Sequence, residues 1–319
     1  MDSEINLKER LQQVLNTLEV DRKKIAETYQ TCYILFGLTV LILMAGLFIG
    51  FVILGIICCL VPLIVGVVMY FRIEDDAKIY KNNFKTNVIG AALKEINETL
   101  TITPKSGFPK YEFISSDLFS TEPDRYKTED MISGVNEKTS FYFAEVHAEY
   151  KTERQDKNGS TSTTWHDIFK GIIFVADFNK NFDTATIVRP KNFGNSVRSW
   201  FSKNVFNINS TQIVQLENTD FDNTFVTYSS DQIQARYILT PALMERILDL
   251  NSKSDGTISV SFTASKMYIA FPLDYNYFEA PIHETLLASN LLENDLSIVR
   301  FMYDIVHELD LNTRIWGKE

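Results

Sequence analysis

Between Glu27 and Arg72 the chain carries no charged residue, and the stretch from Thr28 to Phe71 is strongly apolar. As one helix it would run ~65 Å at ~1.5 Å per residue, twice the ~30 Å hydrocarbon thickness of a bilayer. It therefore predicts two membrane spans joined by a very short turn. Gly46 and Gly50 are the one close glycine pair near the midpoint, which puts the break between them and the spans at about 29–47 and 51–71. Their G-x-x-x-G spacing also suits close helix approach, but a turn is the preferred reading. Tyr29, Tyr33, Tyr70 and Phe71 serve as interfacial rings, and Pro62 predicts a mild kink in the second span. A secretory signal peptide fits poorly, because the apolar block starts late and is too long. A hairpin that enters the membrane without crossing it is the alternative, since the turn is apolar.

The flanks predict the orientation. Lys8, Arg10, Arg22, Lys23 and Lys24 precede the block, Arg72, Lys78, Lys81 and Lys85 follow it, and the turn is uncharged. By the positive-inside rule both flanks are cytoplasmic, which predicts a multi-pass protein of an inner membrane with both termini inside. No ionisable residue lies within the spans, so nothing marks an ion path or proton relay. Leu7, Leu11, Val14, Leu18 and Ile25 keep a helical beat before the block, broken at Asp21. Ile73, Ala77, Tyr80, Phe84, Val88, Ala92 and Ile96 continue one after it, up to Leu100. The two arms are expected to pair within the chain; a self-associating coiled coil, giving a homo-oligomer, is the alternative.

From Ser106 the pattern changes to short alternating runs. Strands are expected over Ser140–Thr152, Ile168–Asp177, Thr184–Arg189, Ile208–Leu216, Asn223–Tyr228, Thr257–Thr263 and Lys266–Pro272. Tyr142, Ala144, Val146, Ala148 and Tyr150 form the cleaner core face of the first, opposite Phe141, Phe143, Glu145, His147 and Glu149. Thr152–Thr164, with Asn158-Gly159, reads as a hairpin tip, and Ala264-Ser265 as a turn. Helices are expected over Asn195–Lys203, over Pro241–Leu250 with Thr240 as cap, and over Leu292–Leu309. The fold class is thus α+β: a two-span helical hairpin with amphipathic arms, then an antiparallel sheet with covering helices. The expected divisions are 1–28 as an amphipathic helix, 29–71 as the hairpin, 72–100 as a helical stalk and 101–319 as a cytoplasmic domain.

Phe169-Lys170-Gly171, Ala176-Asp177-Phe178-Asn179-Lys180, Val188-Arg189-Pro190 and Ser230-Asp231-Gln232 are followed by the distinctive segment Ala235-Arg236-Tyr237-Ile238-Leu239-Thr240-Pro241-Ala242-Leu243-Met244. Together they resemble an uncharacterised bacterial family, sometimes mislabelled galanin, whose members carry two N-terminal spans and a C-terminal domain of unknown function. The resemblance implies a bacterial source and a membrane location. It lends no activity and no catalytic residues.

A search for chemistry returns little. All three cysteines, Cys32, Cys58 and Cys59, lie in the apolar block, which leaves the later domain without a disulfide or a cysteine metal cage. His283-Glu284 and His307-Glu308 open like a zinc-protease helix, but neither has a histidine four residues on, and His147 and His166 sit in strand-like runs. Asp177, Asn179, Asn181 and Asp183 alternate like a calcium loop, yet Phe182 and Val188 stand where glycine and glutamate are needed, so a hairpin turn is expected. Asp220, Asp222 and Asp231 read as ordinary solvated carboxylates. Arg189, Lys191, Arg198 and Lys203 near Trp200 read as solvated charges, with a modest membrane- or partner-facing basic patch as the alternative. There is no G-x-S-x-G elbow and no phosphate-cradling glycine loop. The sequons at Asn97, Asn158 and Asn209 are chance matches in a cytoplasmic domain.

A net charge of −10 argues against a sequence-independent hold on nucleic acid. No catalytic, cofactor-binding or metal-ligating residue is assigned, and no cofactor is expected. The expected partners are the bilayer, through residues 29–71, and a protein or lipid headgroup bound by the domain, which acts as a binding or assembly module. A membrane-tethered hydrolase or transferase and an oligomeric scaffold are the alternatives. A pocket bringing His147 or His166 beside carboxylates would favour the enzyme.

Overall fold

The computed structural model of the chain describes residues 2–155, 161–191, 212–274, 276–287, 292–309 and 311. Two compact units emerge, one of residues 1–92 with 278–294 and the other of 93–277 with 295–319.

The first unit is built on two long helices. Helix α1 runs Asp2–Ile49 and α2 runs Val52–Asn83 with Pro62 inside it; a π-helical segment, Phe84–Ile89, leads on to α3, Gly90–Ile96. Both long helices have the length and hydropathy needed to cross a membrane. The arm and the first span form one uninterrupted helix, because no proline or glycine separates Glu27 from the apolar block. The reversal falls at Gly50, in a left-handed conformation at φ 82°, a geometry that favours glycine. Gly46 acts differently. A Cβ there would lie 3.0 Å from the Cα of Gly55, so this glycine pair lets the two backbones close just below the turn. Tyr29 meets Tyr70 edge to face at 5.8 Å, and Phe36 fills the space over Gly66.

Leu18, Ile25, Cys32 and Thr39 on α1 are buried at seven-residue intervals, as are Cys59, Gly66, Ile73 and Tyr80 on α2. That spacing keeps one seam of each helix facing its neighbour. Most other apolar side chains of the block point outward, Leu41, Phe48 and Ile53 among them at 67%, 93% and 76% exposed.

Residues 278–287 lie across these helices through polar contacts. Arg22 grips Glu19 with two hydrogen bonds of 2.8 Å and donates a third, 2.7 Å, to the Ile282 carbonyl. Glu19 also accepts from the Leu286 amide at 2.9 Å and the Thr285 hydroxyl at 3.2 Å, while the Tyr80 hydroxyl donates to the Pro281 carbonyl. Lys85 and Lys81 both reach Glu279, at 3.2 and 3.3 Å, and outweigh the burial that would otherwise raise its carboxyl.

The second unit is a seven-stranded antiparallel sheet. Its strands are β1 (Thr101–Thr103), β2 (Arg125–Asn136), β3 (Thr139–Gln155), β4 (Thr161–Pro190), β5 (Gln212–Val214), β6 (Phe225–Ser229) and β7 (Ser259–Pro272). The order is β1-β2-β3-β4-β6-β5, with β7 on β4. Helices α4 (Lys110–Ser115), α5 (Thr219–Thr224), α6 (Gln232–Ile238), α7 (Pro241–Ser252) and α8 (Glu293–Glu308) complete the unit. Asn218, Asp231 and Thr240 cap α5, α6 and α7 through their side chains, and Pro241 occupies the first turn of α7.

The core lies on both faces of the sheet. Phe108, Phe113 and Leu118 cover Ala144, Val146, Ala148, Ile173, Val175 and Ala270 on one face. On the other, α8 sets Tyr303 against Phe141 and Phe301 against Phe271. The expected alternation of β3 is observed, with the cleaner face in the core. Two expected turns are absent. Strand β4 runs unbroken for 30 residues through Asp177–Asp183, and β7 runs through Ala264-Ser265. Ala264, at φ 55°, pairs with Phe182 between two register shifts whose extra residues lie on β4, so β7 passes this point without reversing. The helix expected over Asn195–Lys203 and the first part of the strand expected over Ile208–Leu216 lie outside the described residues.

The Glu19–Arg22 pair yields a pH prediction. Arg22 holds the Glu19 carboxyl at about 2, below its ordinary 4.5, against the burial that raises it. A lowered folded-state pKa stabilises the unit fully above about 4.5, and the contribution is lost as pH falls toward 2. Glu19→Gln leaves Arg22 buried without its counter-ion and is expected to cost about 3 kcal/mol. Thermal unfolding of the full chain in detergent micelles from pH 7 to pH 3 checks this: the wild type loses stability below about 4.5, and the variant, already lower, has a flatter acid limb.

Candidate functional site

On the α8 face the apolar rows of the sheet give way to charged ones. Ile132, Phe143 and Phe174 form one cross-strand row; the next is Glu129, Glu145 and Ile172, then Lys127, His147 and Lys170, then Arg125, Glu149 and Asp167. Two irregularities make this alignment. The β2–β3 register slips between Glu129 and Ile132, with Asp130 at φ 57°. The β3–β4 register slips at Ile168, since Ala148 pairs with Phe169 while Glu149 pairs with Asp167. Without that extra residue Asp167 would sit on the Ala148 face; the bulge turns it to the side of His147 and Glu149.

Where the charged rows begin, the sheet holds a cleft of about 180 Å³. Lys127, Glu129, Glu145, His147, Gly171 and Tyr277 are among its lining residues. Its far wall follows the end of β7: the Leu273 amide donates to the Lys170 carbonyl, the Lys170 ammonium donates to the Asp274 carbonyl, and the Tyr277 amide donates to Glu145 Oε1. Gly171 permits this wall. Its φ is +148°, and a Cβ there would overlap the Phe271 carbonyl oxygen on β7. Thr128 braces the floor, donating to the Glu145 carbonyl at 2.7 Å and accepting from the Phe108 amide at 2.9 Å.

At the mouth, His147 Nε2 lies 2.7 Å from Asp167 Oδ1. Glu149 receives Arg125 at 3.1 Å, and the guanidinium lies over the Trp165 ring, 3.9 Å from its centroid. His166 stacks on Tyr150, its register partner, at 5.0 Å on the other side of the ribbon. On that face Glu112 is buried and accepts from Lys266 at 2.7 Å and from the Tyr268 hydroxyl at 3.2 Å. Burial raises the Tyr268 and Tyr142 hydroxyls well above the ordinary phenol range, so both stay protonated donors.

The structure distributes the other candidates separately. His307 lies in the last turn of α8, and His283 belongs to the segment on the helices of the first unit. Asp177 and Asp183 lie within the continuous β4, in place of the expected hairpin turn. Asp220 and Asp222 occupy the first turn of α5, and Asp231 is a helix cap. Of the four basic residues read as solvated, Arg189 is instead buried at 6% exposure and donates to the Asp117 carbonyl, while Lys191 donates to the Asp222 carbonyl. Arg198, Trp200 and Lys203 lie outside the described residues. Sequence reasoning misses Lys127 and Glu129. The alternation of Arg125, Lys127 and Glu129 against Tyr126 and Thr128 is a strand signal, but the slip at Asp130 breaks its phase.

Fold and site together define an α+β domain carrying a charged cleft, in a chain with two long apolar N-terminal helices. Residues 167–311 match the model of a family described as "Protein of unknown function (DUF3137)", in keeping with the expected C-terminal domain of unknown function. The crystal structure of the mycobacterial trehalose monomycolate transport factor A, TtfA, aligns with 51% of this chain and 74% of its own at 9% identity. The TM-score of that alignment is 0.25, too low to carry an argument about fold or function. No curated protein matches the chain.

Gly171→Ala is expected to destabilise the sheet unit by at least about 2 kcal/mol, from a disfavoured backbone angle plus overlap with β7. A lowered thermal midpoint together with faster amide exchange at Leu273 checks it. An unchanged midpoint would show that the wall moves aside at little cost.

Proposed function

We propose that this protein is a two-span protein of a bacterial inner membrane whose sheet domain acts on the cytoplasmic side as a binding module. The carrying observation is the outward-facing apolar surface of the uncharged block, where Leu41, Phe48 and Ile53 need a non-aqueous surrounding. The basic flanks and the uncharged turn at Gly50 support both ends lying inside. The cleft suits a small polar group bearing both charge signs, because Lys127 and His147 stand beside Glu129 and Glu145. A lipid headgroup or a protein side chain meets that description.

One observation favours a second reading, a membrane-tethered hydrolase or transferase. His147 lines the cleft with two carboxylates and is hydrogen-bonded to Asp167, the arrangement that general acid–base chemistry needs. Among the described lining residues Thr128 is the one aliphatic hydroxyl, and its proton is committed to the Glu145 carbonyl, which favours water as the nucleophile.

Reporter fusions after Gly50 and at Glu319, together with carbonate extraction of membranes, test the anchoring. The expected outcome is retention in the pellet, a cytoplasmic signal at Glu319 and an extracytoplasmic signal after Gly50. Release by carbonate, or an extracytoplasmic signal at Glu319, would overturn it. Turnover of a generic ester or phosphoester that falls more than about tenfold in His147→Ala would replace the binding module with the enzyme.

A further inference from the structure

We propose that His147, Glu149 and Asp167 form a binding site for one divalent transition cation of the zinc class, at the mouth of the cleft. The ligand atoms of the three residues lie within 4.8 Å of one another, the span that three donors around one ion occupy. They come from two strands. His147 and Glu149 are two apart on β3 and share a face, and Asp167 joins them through the Ile168 bulge. Strand-borne ligands are held by the ladder, so closing on an ion needs side-chain adjustment only.

The donor set selects the cation. Carboxylates alone would suit calcium or magnesium; an imidazole nitrogen with two carboxylates suits the borderline ions, zinc before the others, and leaves a coordination position open. Asp167 is 64% exposed on its side chain and His147 35%, so an ion can enter from solvent. The surroundings supply an outer shell. Arg125 lies 3.1 Å from Glu149 Oε2 and is itself fixed over Trp165, which orients the carboxylate. Lys170, level with His147 in the register, directs its ammonium to the Asp274 carbonyl. On binding, the proton that His147 Nε2 shares with Asp167 leaves to solvent or passes to Nδ1, and the hydrogen bond is exchanged for two bonds to the ion; of the three ligands, His147 is the one that also lines the cleft. This inference stands apart from the membrane reading, since the three ligands lie on the sheet.

Zinc titration by isothermal calorimetry on the full chain in detergent micelles tests it, with cobalt absorption as a second readout. The expected result is one site, visible-region bands of four- or five-coordinate cobalt, and affinity reduced more than about tenfold in both His147→Gln and Asp167→Asn. His166→Gln, altering the histidine on the opposite face, is expected to bind as the wild type does. Circular dichroism of each variant confirms that the sheet is kept. The proposal is overturned if the wild type shows no saturable site, if cobalt shows only the weak spectrum of its hexaaqua ion, or if His166→Gln weakens binding as much as His147→Gln.

Discussion

An uninterrupted run of apolar, uncharged residues cannot sit in water as an exposed helix pair, and this constraint governs the whole N-terminal third of the chain. The glycines settle how the run folds. Gly50 reverses it, and Gly46 against Gly55 draws the two helices together below the turn. Burial every seventh residue then carries the same seam outward past the apolar block, from Cys32 to Leu18 and from Gly66 to Tyr80. Beyond the block the stabilising contacts change in kind. Charge-assisted bonds from Arg22, Lys81 and Lys85 hold residues 278–287, where the apolar seam alone offers no specificity.

In the sheet unit the equivalent constraint is β4. Its 30 residues pair with β3 and then β6 along one edge and with β7 along the other, so most of the sheet is assembled on it. Two local departures on that strand make the site. The Ile168 bulge turns Asp167 toward His147, and Gly171 lets β7 and the residues after it close the cleft wall. The charged rows follow from ordinary alternation on β2 and β3 once the apolar rows under α8 end. Chemistry and core are thus successive rows of one face.

Much of this was legible in the sequence. The two long apolar helices follow from length and charge, the core face of β3 from alternation, and the cap of α7 from Thr240-Pro241. What was hidden has a physical cause in each case. Bulges at Asp130 and Ile168 each shift the two-residue period by one, which conceals β2 and misplaces Asp167, while the turn-like pair Ala264-Ser265 makes β7 look like two strands. Polar runs such as Asp177–Asp183 resemble turns unless one knows that a long central strand continues through them. Arg189 looks like surface charge, yet the Asp117 carbonyl receives it in the interior. Convergence of His147, Glu149 and Asp167 depends on cross-strand register, which is a property of pairing and not of either segment.

The central claim is that the block from Thr28 to Phe71 lies in lipid with its seam closed and its outer face in hydrocarbon. Cys58 is exposed on α2 while Cys32 and Cys59 are buried, so the chain carries its own probe position. With Cys32 and Cys59 replaced by alanine and a nitroxide at Cys58, spin relaxation in liposomes reports what surrounds the outer face. The account predicts frequent collision with dissolved oxygen and little with a water-soluble nickel chelate. The reverse ratio would place that face in water and contradict it.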